Sequence, residues 1–381
     1  MTGTSLDGLD VALVEIHGSG LDITARFKGL VSRPLGDLRA ALLELSRAGA
    51  ATAIQTMRAA RALGDLHADA VADLCAAHLP SGASLGLVVA HGQTICHAPG
   101  DPSAVDIDGG RFSWQLLDPW PIVRRLSVPV LHDLRQADLI AGGQGAPITP
   151  LSDWVMYRQP RKHRFIINLG GVCNFTELPA DCRPQVVQGG DYGPCNLLID
   201  GLVQRLFPDL RYDRDGQIAA SGRRSDFVDR TLQTQESFLL TVEKFDRQGA
   251  TLGREDITDD FIELLVRRAA DDAVSPNDLI ASAVEWVARR VRDCVSGAEN
   301  PVEVVIAGGG VNNPYLVERI RAVANPAHHV LRSDEIGIPS EGRESMAMAV
   351  LGSLCQDGVS ITLPQVTGAE RPGTAGVWAY P

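Results

Sequence analysis

The chain has 381 residues, 45% of them hydrophobic, with a formal net charge of -12 from 35 Lys and Arg against 47 Asp and Glu. That size supports a core large enough to divide between two domains, and an acidic chain without a basic cluster is a poor match for nucleic acid or an anionic membrane. Seven cysteines, an odd number with no Cys-x-x-Cys pair, point to a reduced, cytoplasmic protein rather than a disulfide or zinc scaffold.

The opening residues, Met1-Thr2-Gly3-Thr4-Ser5, lack the basic and apolar segments of a signal peptide. No uninterrupted apolar run is long enough to cross a bilayer. In chain order, Asp10 to Ile16 alternates apolar and polar residues and predicts a strand. Leu38 to Leu45 and Ala53 to Leu79 are rich in alanine and leucine and predict helices. Leu85 to Ala90 predicts a buried strand running into His91-Gly92. The turn-rich stretch Ala141 to Pro150 reads as a crossover between two domains, 1–140 with 346–381 and 141–345. Phe165 to Leu169 is a strand before Gly170-Gly171, and Val304 to Ala307 one before Gly308-Gly309-Gly310. Ser275-Pro276 and Asn313-Pro314 each supply a capping side chain and a first-turn proline, so helices start there, the former with Gly297 as its stop. Alternating strands and helices place the chain in the α/β class.

Three glycine loops offer inward-pointing N–H groups of the kind a phosphate chain needs. They are Gly3-Thr4-Ser5-Leu6-Asp7-Gly8, then Asn168-Leu169-Gly170-Gly171, then Gly308-Gly309-Gly310 with Asn313 at the following helix start. Each loop taken singly also reads as a tight turn, and none is a Walker A loop. Phosphoryl transfer to oxygen commonly uses a carboxylate to take or steer a proton. Asp191, at the end of Val186-Val187-Gln188-Gly189-Gly190 and before an expected helix opened by Asn196, is the leading candidate; a turn or cap is the other reading. Arg135 reads as an anion clamp or a surface ion pair, and His91, followed by Gln93, as a base or a satisfied structural ring. Glu344 reads as a hydroxyl acceptor or a helix-dipole partner.

Together these segments resemble the anhydro-N-acetylmuramic acid kinase family of bacterial cell-wall recycling. The likeness rests on Met1 to Gly8, His91 to Thr94, Asp133 to Asp138, Gly142 to Pro147, Asn168 to Gly171, Asp191 to Asn196, Asp213 to Gly216, Gly253 to Glu255, Gly308 to Asn313 and Glu344 to Ala347, in the family's order. Tyr192 and Cys195 stand where members usually have small residues.

The resemblance implies the two-domain actin/hexokinase/Hsp70-like ATPase fold, with ATP in the interdomain cleft. Gly3, Thr4, Ser5, Leu6, Asp7 and Gly8, with Asn168, Gly170 and Gly171, would face the phosphates. Gly308, Gly309, Gly310 and Asn313 would lie near the adenosine. His91, Gln93, Arg135, Asp191 and Glu344 would bind the sugar. The implied reaction takes a 1,6-anhydro sugar, ATP and water to the sugar 6-phosphate and ADP, with Asp191 as base and Mg2+ on the phosphates. Members are typically homodimers and usually carry a short strand ahead of the first motif, which here would precede Met1. Another anhydro sugar such as levoglucosan, or a catalytically weak binding role, are the competing expectations.

Overall fold

The computed structural model describes residues 1–3, 6, 8–46, 51–99, 110–233, 259–298 and 301–381. Among them the strands are β1 (Leu9–His17), β2 (Thr24–Arg33), β3 (Val88–Ala90), β4 (Gln93–Ala98), β5 (Phe112–Leu116), β6 (Val130–His132), β7 (Arg164–Leu169), β8 (Val172–Leu178), β9 (Gln188–Pro194), β10 (Glu303–Ala307), β11 (His329–Arg332) and β12 (Val377–Ala379). The helices that concern the site are α1 (Leu38–Ser46), α2 (Ala53–His78), α3 (Pro150–Tyr157), α4 (Asn196–Leu206), α5 (Pro276–Cys294), α6 (Pro314–Val323) and α7 (Arg343–Gln356).

The chain divides into two compact units, Met1–Met156 with Gly342–Pro381, and Tyr157–Glu341. The sequence placed these divisions at 140/141 and 345/346. The first falls later because the glycine-rich crossover is tied into the first unit. Asp138 Oδ2 accepts from Gly145 N at 2.6 Å, and Gln144 N donates to Thr367 O at 2.9 Å. The second falls earlier because Arg343, at the start of α7, is buried in an ion pair with Asp153 of α3.

In the first unit, β1 and β2 form an antiparallel ladder, and β6 lies between β3, parallel to it, and β12, antiparallel. α2 begins at a capping box in which Thr52 and Gln55 satisfy each other's exposed groups. Its buried residues Ala59, Leu63, Val71 and Leu74 recur at helical spacing. The strand expected from Leu85 starts only at Val88.

The second unit is built on one sheet in the order β11-β10-β7-β8-β9. β7, β10 and β11 are mutually parallel, β8 runs antiparallel to β7, and β9 antiparallel to β8, so β9 again runs in the direction of β7. Every residue of β7 is buried, as a central strand covered on both faces requires. α5 supplies much of that cover: Leu279, Ile280, Val284 and Val287 are fully buried, each such side chain contributing about 1.5–3 kcal/mol. Its start is as the sequence predicts, with Ser275 Oγ accepting from Asp278 N. It stops at Cys294, before Gly297, because Val295 N–H turns back to the carbonyls of Arg292 and Asp293. No helix among the described residues is long and apolar enough to cross a membrane, and all seven cysteines are free.

Arg343 is 1% exposed and the Asp153 side chain 0%. Removing the carboxylate leaves a buried positive charge without its counter-charge. We expect Asp153→Ala to lower stability by about 3–5 kcal/mol, measured by urea unfolding; a loss within error of zero would mean the pair contributes nothing.

Candidate active site

The second unit brings two glycine turns together. β7 and β10 are neighbours and parallel, so Gly170-Gly171 and Gly308-Gly309-Gly310 leave the same end of the sheet, where ligands bind in α/β proteins. Contact there is backbone-close. A Cβ on Gly308, whose φ is +86°, would lie 2.5 Å from Asn168 Oδ1, and one on Gly310 would lie 2.7 Å from Leu169 Cβ. A Cβ on Gly170 would meet Asn168 Nδ2 at 3.3 Å, and one on Gly309 would just reach Asn196 Nδ2 at 4.0 Å.

Helix α4 starts against the first of these turns. Cys195 N and Leu197 N donate to Gly171 O at 2.9 and 3.0 Å, and Asn196 N donates to Gly170 O at 3.0 Å. The Asn196 side chain donates to Leu169 O at 3.1 Å. Asn196 thus joins both loops, a role the sequence reading did not assign although the residue stood in its motif. The same holds for Asp213 and Gly216. Asp213 accepts from Ile218 N and Ala219 N at 2.9 and 3.0 Å, fixing a turn whose Gly216 approaches Asn313. Asn313 itself caps α6, its Oδ1 accepting from Leu316 N at 3.0 Å.

Asp191 is 9% exposed and sits in the middle of β9, opposite Asn174 of β8, not at a strand end. Pairing with β8 carries the strand past Asp191 as far as Pro194, three residues beyond the end the sequence suggested. Five residues later comes the start of α4, so one short segment holds both the carboxylate and the residues that bind the Gly170-Gly171 turn. Tyr192 packs away from this business: its ring stands edge-on to Phe175 at 6.2 Å, with the Arg290 guanidinium 4.6 Å from its centroid. Cys195 is fully buried, and burial pushes its thiol well above the ordinary range. Beside Asp191, burial followed by the aspartate's charge pushes Cys173 up to about 12, so both thiols stay protonated.

The first unit carries a second group of the candidates. Arg135 Nε and Nη2 donate to His91 Nε2 at 3.1 and 3.0 Å, and Nη1 donates to Gly145 O at 2.5 Å. A guanidinium only donates, so His91 Nε2 is the acceptor and the proton sits on Nδ1, which faces Gly92 O at 3.1 Å. Burial and then the Arg135 charge hold the His91 ring down to about 3, so it is a neutral brace for Arg135 and no base at neutral pH. Gln93 is 2% exposed; its Nε2 donates to Thr94 O, while Oε1 has no hydrogen-bond partner. Glu344 lies in the first turn of α7, near enough to the Met1 amino group to act on its charge.

The loop from Gly3 to Gly8 is partly described. Gly3 O accepts from Leu6 N at 3.2 Å; Leu6 is 2% exposed with φ +57°, and its carbonyl takes Arg39 Nε at 3.1 Å. Gly8 lies so close to β2 that a Cβ would be 2.9 Å from Arg33 O. Thr2 Oγ1 donates to Gly92 O at 3.0 Å, tying this loop to the His91 segment. Thr4, Ser5 and Asp7 lie outside the described residues, as does the Gly253 to Glu255 motif.

A family model described as anhydro-N-acetylmuramic acid kinase matches residues 1–381. A relative of that name from Salinibacter ruber is 34% identical over 387 residues, covering 100% of this chain and 95% of that protein. One from Bacillus cereus (strain Q1) is 32% identical, covering 100% and 98%. A ROK family glucokinase from Streptomyces griseus, solved with glucose and AMPPNP, aligns over 89% of this chain and 97% of its own at 14% identity and a TM-score of 0.34, a likeness too slight to carry an argument. With paired glycine turns at the end of an α/β sheet, the family match makes this chain a sugar kinase. It belongs to the anhydro-N-acetylmuramic acid kinase family.

The buried histidines set a pH window. Burial first, then the Arg135 charge for His91 and the amino terminus for His67, holds each ring to about 3 when folded, against 6.5 when free. The unfolded chain therefore binds more protons between these values. Stability is full above pH 6.5 and falls as pH drops toward 3, by about 1.4 kcal/mol per pH unit for each ring. We expect the melting temperature to decline steadily from pH 6.5 to 4.5, and less steeply in His67→Gln; a flat profile in the parent would refute it.

Proposed function

We propose that the chain uses ATP and water to convert 1,6-anhydro-N-acetylmuramic acid to N-acetylmuramic acid 6-phosphate and ADP, as a step of peptidoglycan recycling in the cytoplasm. The observation that carries this reading is the family match along the whole chain. Asp191 takes a proton from water as the water attacks the anomeric carbon. The bond from that carbon to the bridging 6-oxygen breaks, and the freed oxygen attacks the γ-phosphorus. ADP leaves. A buried carboxylate on a rigid strand suits the task, because its position does not depend on a mobile loop.

In this reading Gly170, Gly171, Asn168 and the Gly3–Gly8 loop, with Thr4, Ser5, Leu6 and Asp7, face the phosphates. Gly308, Gly309, Gly310 and Asn313 face the adenosine. The fit is supported by Gly308 and Gly310, where a Cβ would collide with the end of β7, since glycine lets backbone N–H groups approach a phosphate closely. Mg2+ entering with the nucleotide would neutralise phosphate charge, and Asp7 would orient a water on it.

On the sugar side, Arg135, oriented by His91 and Gly145 O, meets the lactyl carboxylate. Gln93 Oε1 accepts from a sugar N–H or hydroxyl, and Glu344 accepts from hydroxyls. The working form we propose is a homodimer.

Asp191→Asn should lower kcat for sugar-dependent ADP release by roughly 100- to 10,000-fold while the melting temperature stays near that of the parent. Retained turnover would remove Asp191 as the base. Arg135→Gln should raise KM for the muramic substrate by roughly 10- to 100-fold, and leave an anhydro sugar lacking the lactyl group almost unaffected. Equal losses on both sugars would reject the carboxylate contact.

A further inference from the structure

Asp138 closes the motif that begins at Asp133, has no part in the chemistry described so far, and is 5% exposed. A buried carboxylate needs hydrogen bonds at its oxygens, and two distant segments of the first unit supply them. Oδ2 accepts from Gly145 N at 2.6 Å, and Oδ1 accepts from Thr367 Oγ1 at 2.6 Å, 229 residues along the chain. The backbone follows the same plan. Asp138 O accepts from Ala141 N at 3.1 Å and from Gly143 N at 2.8 Å, and Thr367 O accepts from Gln144 N at 2.9 Å. The segment from Gly142 to Pro147 is thereby wrapped around one carboxylate.

That wrapping accounts for two of its glycines. Gly145 has φ +68°, a left-handed backbone that favours glycine. Gly143 is not left-handed, yet a Cβ there would lie 2.2 Å from Asp138 Oδ2. The carboxylate is what keeps a side chain out of position 143. Beside these groups is a cavity of about 20 Å³ lined by Arg135, Asp138, Gly145, Thr362 and Thr367, room for about one water. On that side Gly145 is held by hydrogen bonds and not by packed side chains.

The carbonyl of Gly145 takes Arg135 Nη1 at 2.5 Å. One residue is thus gripped at both ends, its N–H by Asp138 and its oxygen by Arg135. His91 Nε2 holds the other edge of the guanidinium, at Nε and Nη2, and on that contact alone the group could pivot. Gly145 O removes the pivot. We propose that Asp138 is the positioning residue of this clamp: through Gly145 it sets where the Arg135 guanidinium stands, and so sets affinity for a carboxylate-bearing sugar without touching it. The proposal rests on the reading that Arg135 meets the lactyl carboxylate. A planar guanidinium pairs best with a carboxylate in a fixed orientation, so a loosened Gly145 weakens binding and leaves the chemical step alone.

The test compares KM and kcat for 1,6-anhydro-N-acetylmuramic acid with those for 1,6-anhydro-N-acetylglucosamine, which lacks the lactyl group. We expect Asp138→Ala to raise KM for the muramic sugar by roughly 5- to 50-fold. Its kcat, and both constants for the other sugar, should stay within about twofold of the parent. Gly143→Ala pushes the carboxylate off Gly145 N, should show the same pattern, and decides the matter if Asp138→Ala does not fold. Asp138→Asn should return KM to near the parent value. Its Oδ1 still accepts from Gly145 N, and its amide donates to Thr367 Oγ1, whose hydroxyl turns to Leu363 O at 3.4 Å. In an Arg135→Gln background Asp138→Ala should add nothing, because its whole effect passes through Arg135. Equal losses on both sugars, a further loss in that background, or an Asp138→Asn no better than Asp138→Ala overturns the proposal. Exchange of the Arg135 Nε–H with water, followed by 15N NMR, reads the position without turnover. It should quicken roughly tenfold in Asp138→Ala and stay near the parent rate in Asp138→Asn; an unchanged rate in Asp138→Ala also overturns the positioning role. If exchange quickens while Arg135→Gln treats both sugars alike, the positioning stands and the carboxylate reading is what fails.

Discussion

A Cβ placed on Gly308 would lie 2.5 Å from Asn168 Oδ1, and one on Gly310 2.7 Å from Leu169 Cβ. No side chain can stand at either position without moving the end of β7. The site of the second unit follows from that constraint. Two parallel neighbouring strands end together, their exits touch backbone to backbone, and Asn196 fastens the first exit by donating to Leu169 O. The same segment that delivers Asn196 delivers Asp191, because β9 and α4 are separated by a single residue, Cys195. The buried carboxylate and the residues that bind the Gly170-Gly171 turn thus hang from one stretch of fewer than ten residues that begins on a strand paired to β8.

The first unit solves a different problem, holding a cation still. Arg135 has a long side chain that would lose considerable freedom in binding an anion. His91 and Gly145 O take up three of its nitrogens before any ligand arrives. The cost of ordering is met during folding, and the neutral state of His91 is part of the arrangement, since a protonated ring would repel the guanidinium it braces. Tyr192 and Cys195, which differ from the family's usual small residues, fit by turning inward. One is stacked under Arg290, the other fully buried.

Much of this was legible in the residues. Caps at Ser275 and Asn313, the apolar runs into glycine at Leu169 and Ala307, and the alternation in β1 all locate elements close to where they lie. These are local signals, set by a few neighbouring side chains. What was not legible depends on pairing across the chain. Asp191 reads as the end of a strand until pairing with β8 carries β9 on to Pro194. The crossover at Ala141 to Pro150 reads as a linker until Asp138 gathers it in. The joining role of Asn196 rests on a carbonyl 27 residues away, and no spacing rule announces such a contact.

The ion pair between Asp153 and Arg343 spans 190 residues of chain, and β12 adds its strand to β6 from even farther along. Between Asp153 and Arg343 lies the whole second unit, Tyr157–Glu341, which is complete in sequence before Gly342 is reached. At a synthesis rate of about 5–20 residues per second, Asp153 is made many seconds before its partner. During that interval the inserted unit emerges whole and can fold on its own core, while the first unit lacks α7 and an edge of its sheet. The first unit, which holds the first residues to be made, is therefore completed only after the second has been synthesised.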